Sequence, residues 1–115
     1  MPNNRPPTTS LEAVNAKREI AKRSSAVNYS FYLGATTNNI NEITSLDPRT
    51  VCGVKVFMGS STGNMLVDDK NSLEEIFSMS PIPIVAHCED MEIIKKNTNE
   101  VLERYGKEAG VEWHP

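Results

Sequence analysis

Three positions carry side chains whose type and placement suit chemistry: Asn3, Lys55 and His87. Lys55 lies in Val51-Cys52-Gly53-Val54-Lys55-Val56-Phe57-Met58-Gly59, an apolar, partly β-branched run between Asp47-Pro48 and Ser60-Ser61. Such a run reads as a short buried strand. Lysine is among the residue types least often buried alone. This one must reach water, pair with an acid or be chemically altered. Alternation puts Lys55 on one face with Gly53 and Phe57, and Val54, Val56 and Met58 on the other. His87 ends the next apolar run, residues 81–87. A neutral imidazole there can ligate a metal if a second group fixes its tautomer; otherwise it caps the following helix or bonds a carbonyl. Asn3 belongs to the turn Met1-Pro2-Asn3, read as the tail of a preceding strand. Ligands bind at one end of a parallel sheet, so the coincidence of the three positions outweighs any one of them.

The remaining candidates carry less. Cys88 adjoins His87, but neighbours along a strand point to opposite faces, which argues against a Cys–His pair. Cys52 and Cys88 both lie in apolar, strand-like segments and read as reduced, buried thiols. Glu89 and Asp90 suit the first turn of a helix, where the dipole favours acids. Gly59-Ser60-Ser61-Thr62-Gly63-Asn64 lacks the Gly-Lys-Ser/Thr ending of a phosphate loop and the helix directly behind it. It reads as a hydroxyl-bearing loop beside a strand end, either a lid or a plain solvent loop.

The elements that must position these residues alternate in type. Thr9-Ser10-Leu11-Glu12 matches a capping box and opens a helix over residues 10–24, with Leu11, Val14, Arg18 and Ala21 on one stripe and Ile20 beside it. Residues 27–34 read as a strand with Tyr29, Phe31 and Leu33 on one face. Asn38 or Asn39 can cap a short helix through Ile40, Ile43 and Leu46, stopped by Asp47-Pro48. The Lys55 strand follows. Ser72-Leu73-Glu74-Glu75 is a second capping box, with Leu73, Ile76 and Phe77 inward. In residues 81–87, Ile82, Ile84 and Ala86 share one face and Val85 and His87 the other. Glu89 or Asp90 starts a long helix to about Ala109, packing through Ile93, Ile94, Asn97, Val101 and Tyr105, with Gly106 and Gly110 as stops. Alternating helices and strands predict an α/β fold with a parallel sheet, either a small open sheet or one arc of a barrel.

The chain has 115 residues and a formal net charge of -3. That length is one domain at most, well below the roughly 250 residues of a complete eight-stranded barrel. The slightly acidic balance gives no reason for a nucleic-acid or anionic-membrane partner. No apolar run approaches the roughly 20 residues of a membrane span, and the opening residues are not a signal peptide; a cytoplasmic location is the expectation. Both ends look abrupt, so the chain reads as an internal piece of a longer one. Uncovered strand edges would favour homo-oligomeric association.

Three stretches together resemble a known family: Met1-Pro2-Asn3-x-x-Pro6; Gly53-Val54-Lys55-Val56-Phe57-Met58-Gly59-Ser60-Ser61-Thr62-Gly63; and Ile84-Val85-Ala86-His87-Cys88-Glu89-Asp90. They look like the middle of the dihydroorotase family, metal-dependent α/β barrels of the amidohydrolase superfamily, in the order and spacing of barrel strands two to five. The Met-Pro-Asn turn favours dihydroorotase over allantoinase and dihydropyrimidinase, which share the lysine and histidine. The resemblance implies a partial (β/α)8 TIM-type barrel, with residues 1–115 an internal fragment of one amidohydrolase domain. It implies a full-length parent that is a zinc-dependent cyclic amide hydrolase of pyrimidine biosynthesis, acting on a small-molecule substrate by reversible cyclisation of N-carbamoyl-L-aspartate to dihydroorotate. The alternatives are an allantoinase- or dihydropyrimidinase-type enzyme, or a non-catalytic scaffold.

By the same resemblance Lys55 is the carbamylated lysine bridging two zinc ions, and His87 is a ligand of the second. Asn3 contacts the substrate carboxylate, and Ser61 and Thr62 stand in the loop that closes over substrate. The family's strand-one histidines and substrate arginine, its strand-six histidine and its strand-eight aspartate have no counterpart in this sequence. The resemblance therefore implies that the chain alone is inactive, binds zinc weakly or not at all, and leaves Lys55 unmodified.

Overall fold

Each apolar run finds its neighbour by lying alongside it in the same direction. The computed structural model describes residues 1–59, 65–106 and 110–113. It contains one parallel sheet of three strands, β1 (Tyr32–Gly34), β2 (Gly53–Phe57) and β3 (Ile84–His87), in that spatial order. Helices α1 (Leu11–Ser24), α2 (Ile40–Thr44), α3 (Lys70–Met79) and α4 (Met91–Tyr105) alternate with the strands, and a 3-10 turn covers Val111–Trp113. Parallel strands joined through helices form a partial (β/α)-barrel, one of the two arrangements that the alternation allows and the one that the resemblance implies.

The core lies on the helix side of the sheet. Leu33, Val54 and Val56 point into it and meet Val14 of α1, Ile43 of α2 and Ile76 of α3, with Leu46, Val51, Val67 and Ile82 filling the ends. Each fully buried aliphatic side chain contributes about 1.5–3 kcal/mol. Every residue of β2 is buried, on both faces. That explains why β2 reads as a continuous apolar run, whereas half-buried β3 alternates.

The element boundaries differ from the sequence reading for local reasons. Only Tyr32–Gly34 of the expected strand 27–34 pairs, because the register sets Tyr32 opposite Gly53 and the chain before Gly53 is already turning at Asp47–Thr50; Val27 and Tyr29 are exposed. Helix α1 is capped by Ser10, not Thr9: the Ser10 hydroxyl accepts from the Ala13 N–H, and the next N–H, that of Leu11, donates to the Glu42 carboxylate of α2 at 2.8 Å. A tertiary partner thus replaces the reciprocal capping glutamate. Helix α3 starts earlier than the Ser72 box, because Asp69 is the cap and Ser72 supplies the N–H that it accepts. Leu73 and Ile76 face the core, but Phe77 is 50% exposed on the flank of that stripe.

Helix α4 departs furthest. Asp90 caps it, accepting from the Glu92 and Ile93 N–H groups. It ends at Gly106, whose φ of 65° takes the backbone out of the helix before Ala109. None of its residues is buried. Its half-buried positions are Ile94, Thr98 and Val101, while Ile93, Asn97 and Tyr105 are exposed. Both cysteines are exposed, not buried. Cys52 precedes β2 and donates its thiol to the Phe31 carbonyl, and Cys88 lies beyond the end of β3. Among the described residues no helix is long and apolar enough to cross a membrane.

Two outcomes follow from the packing. A Cβ on Gly53 would lie 2.7 Å from the Pro83 carbonyl oxygen and 3.0 Å from the Tyr32 ring. Gly53→Ala should therefore destabilise the fold by about 1–3 kcal/mol in urea denaturation. The Ser72 side chain, and after it the Ser72 amide, hold the Asp69 carboxyl below the ordinary carboxylate range. Its folded pKa is thus lower than its unfolded one, so the cap is fully made above the ordinary range and is lost as pH falls through the depressed value. The Ser72 amide chemical shift, followed by NMR, should move only in strongly acidic solution.

Candidate functional site

The register of the sheet decides which side chains meet. Tyr32 is opposite Gly53, Gly34 opposite Lys55, Lys55 opposite Val85, and Phe57 opposite His87. Partners in adjacent parallel strands project to the same side. Tyr32, Lys55, Phe57, Val85 and His87 therefore share the face turned away from the helix-packed core. Lys55 and His87 stand toward its C-terminal end, one strand apart.

Lys55 is 7% exposed. Its ammonium nitrogen lies 4.8 Å from the centre of the Phe57 ring, a distance that gives a cation–π attraction. Among the described residues no carboxylate comes within ion-pair distance of it. The Phe57 ring in turn approaches the His87 ring, with 6.2 Å between centroids. The aromatic ring thus borders both candidate groups. A Cβ on Gly34 would point to this same face and meet Pro2 and Met65. These two buried residues cover the sheet next to Lys55. Met65 is held there because the chain returns to the end of β2: Phe57 pairs with Leu66, and the Val67 N–H donates to the Phe57 carbonyl. Met65 and Val67 are therefore part of the buried interior.

The amino-terminal turn is fixed at the same end of the sheet. The Thr8 N–H donates to the Pro2 carbonyl, and the Gly34 N–H to the Thr8 carbonyl, each at 2.8 Å. Asn3 is exposed on this turn. Ser61 and Thr62 lie outside the described residues. His87 is half exposed, and its Nε2 lies 3.2 Å from the Glu89 carboxylate. Glu89 is thus not an acid of the first helical turn, as its sequence position suggested. Asp90 takes the helix end, and Glu89 turns back to the imidazole.

Sequence reasoning missed the work of Asn39. Its side chain makes no cap bond for α2. Buried, it accepts from the Thr36 N–H and donates to the Thr9 and Gly34 carbonyls, all at 2.8 Å. It ties the amino-terminal segment to the end of β1, beside Lys55. Asparagine just before a short helix was the available signal, and it points equally to a cap. At the other end of the face, the Tyr32 phenol pKa is raised, first by the charge of the neighbouring Cys52, then by a hydrogen bond with it, and last by desolvation of the phenol itself.

Among the described residues no group of three or more His, Cys, Asp or Glu side chains could hold a metal ion. Catalytic zinc sites normally draw three ligands from the protein. Lys55 and His87 alone do not make up such a site, so no step through a metal is derived from this geometry.

No family model matches the chain. It is 34% identical over 104 residues to allantoinases of two strains of Desulfitobacterium hafniense, covering 85% of this chain and 23% of those proteins. It is 28% identical over 105 residues to a dihydroorotase of Methanothermobacter thermautotrophicus, covering 90% of this chain and 23% of that one. The fold superposes on L-hydantoinase (dihydropyrimidinase) from Arthrobacter aurescens with a TM-score of 0.74 at 30% identity, over 93% of this chain and 25% of that structure. The chain spans about a quarter of the length of the relatives that it matches.

Burying an ammonium without an acid is unfavourable, and the ring beneath it offsets only about 0.5–2 kcal/mol. Lys55→Met, which keeps the apolar stem and removes the charge, should leave the fold as stable or raise its stability by about 1–2 kcal/mol in chemical denaturation. A loss of stability would mean that the charge is satisfied.

Proposed function

We infer that this chain, a partial amidohydrolase-type barrel related to the allantoinases, dihydroorotases and hydantoinases, is an internal segment of one barrel domain and forms one wall of the active site of a cyclic amide hydrolase. The observation that carries this reading is the placement of Lys55 and His87 on one face, at one end, of adjoining parallel strands. Lys55 is buried with no acid beside it among the described residues. That setting favours chemistry that removes its positive charge, and carbamate formation would also turn the amine into an oxygen donor. His87 offers an imidazole from the neighbouring strand.

Divalent metals are typical of the amidohydrolase superfamily. Lys55, as a carbamate, and His87 would be this chain's contribution to such a site, with zinc the metal suggested by the resemblance in sequence. Further ligands would have to come from outside the described residues, so the 115-residue chain by itself is expected to be inactive. Asn3, on the turn fixed at the same end of the sheet, is proposed to meet a polar group of the substrate. Ser61 and Thr62 remain the loop residues proposed to approach it.

The relatives support ring-amide hydrolysis as a class better than dihydroorotase in particular. Three share 30% identity or more, two allantoinases and a hydantoinase, while the dihydroorotase shares 28%. The Met-Pro-Asn turn is the feature that speaks for dihydroorotate. The substrate proposed is a small cyclic ureide whose ring amide is opened by water.

The test is turnover of allantoin, hydantoin, dihydrouracil and dihydroorotate by the complete polypeptide supplied with divalent metal and bicarbonate. Opening of at least one ring is expected, with Lys55→Ala reducing it to background. Refusal of all four rings, or full activity of Lys55→Ala, would contradict the reading.

A further inference from the structure

We propose that Glu89 is a positioning residue for His87: seated against Gly59, its carboxylate holds the imidazole as the Nε2–H form and leaves Nδ1 as the one lone pair that the ring can offer. Three observations carry this. The Glu89 Oε1 lies 3.2 Å from His87 Nε2. The helix that follows takes its cap from Asp90, the next residue along the chain. Gly59 packs directly on the Glu89 side chain, where an added Cβ would overlap the Glu89 Cβ and come within 2.6 Å of its Oε2.

The end of β2 and the end of β3 are also one unit, because the Met58 N–H donates to the His87 carbonyl at 2.9 Å. The carboxylate is therefore held between the Gly59 backbone and the imidazole. A neutral imidazole carries one N–H and one lone pair. A carboxylate can only accept, so its partner nitrogen must be the one that bears the hydrogen, and the other nitrogen is left as the acceptor. The glycine makes the arrangement possible, since any side chain at position 59 would occupy the place of the carboxylate. The use of Nδ1 by a ligand on the Lys55 face rests on the ring-hydrolase reading; the selection of the tautomer does not.

The chain has two histidines, His87 and His114, so a histidine-selective 15N experiment is simple to assign. Long-range proton–nitrogen spectra in alkaline buffer, where the ring is neutral, report which nitrogen carries the hydrogen. The Nε2–H form of His87 should be present to the exclusion of Nδ1–H. In Glu89→Ala both forms should interchange, with a several-fold rise in Nδ1–H. Gly59→Ala, which leaves the carboxylate chemically intact but displaces it, should move the tautomers the same way. Glu89→Gln, similar in shape and still able to accept, should retain more of the bias than Glu89→Ala and guards against a variant that fails to fold. Identical imidazole shifts in the parent chain and in Glu89→Ala, with backbone amide spectra unchanged, would overturn the proposal, as would a predominant Nδ1–H form in the parent chain. The bias can persist in a protein that refuses every ring substrate, and ring opening can persist without the bias, so the two readings fail separately.

Discussion

The central strand β2 is hydrogen-bonded along both edges and buried on both faces, and that constraint decides where Lys55 and the side chains beside it can go. Side chains in a strand alternate strictly, so a slip of one residue would turn every one of them to the other face. In β2 such a slip would drive the Lys55 ammonium among Leu33, Val54, Val56 and Ile76. An unpaired charge in that apolar layer is far more costly than one lying on an aromatic ring at the opposite face. The lysine thus specifies the register of β2 as firmly as the valines around it do, and the register in turn brings His87 to the same face.

The two faces of the sheet are finished differently. The helix side is closed by α1, α2 and α3. The other side is covered near β1, where Pro2 and Met65 pack against Gly34, and opens toward β3, where Val85 is 42% exposed and α4 contributes no buried residue. Lys55 lies at the covered end of this gradient and His87 at the open end. On the function proposed above, this surface is one wall of a cavity; the relatives are about four times as long as this chain.

Much of this was legible in the residues alone. The order of elements, the parallel sheet and the shared face of Lys55 with Phe57 follow from period and from turn residues, and the structure has all three. What was not legible depended on partners distant in sequence. Glu42 accepts the Leu11 N–H at the start of α1 from 31 positions away, alongside the Ser10 cap. Asn39 bonded three segments where its sequence context suggested a cap. The thiols of Cys52 and Cys88 look buried by composition and are exposed because both fall just outside their strands. Glu89 followed the pattern of a first-turn acid, yet the glycine that admits it to His87 lies 30 positions earlier in the chain, and no local pattern joins the two.

The most direct measurement is the separation and facing of the Lys55 side chain and the His87 imidazole in a crystal structure of the complete polypeptide. If β2 presents Lys55 away from the helix layer, both groups will line one cavity, with Phe57 bordering each and no carboxylate within ion-pair distance of an unmodified Lys55. A Lys55 side chain turned into the helix layer, or an imidazole on the opposite face of β3 from Phe57, would contradict that arrangement and with it the assignment of a shared active-site wall.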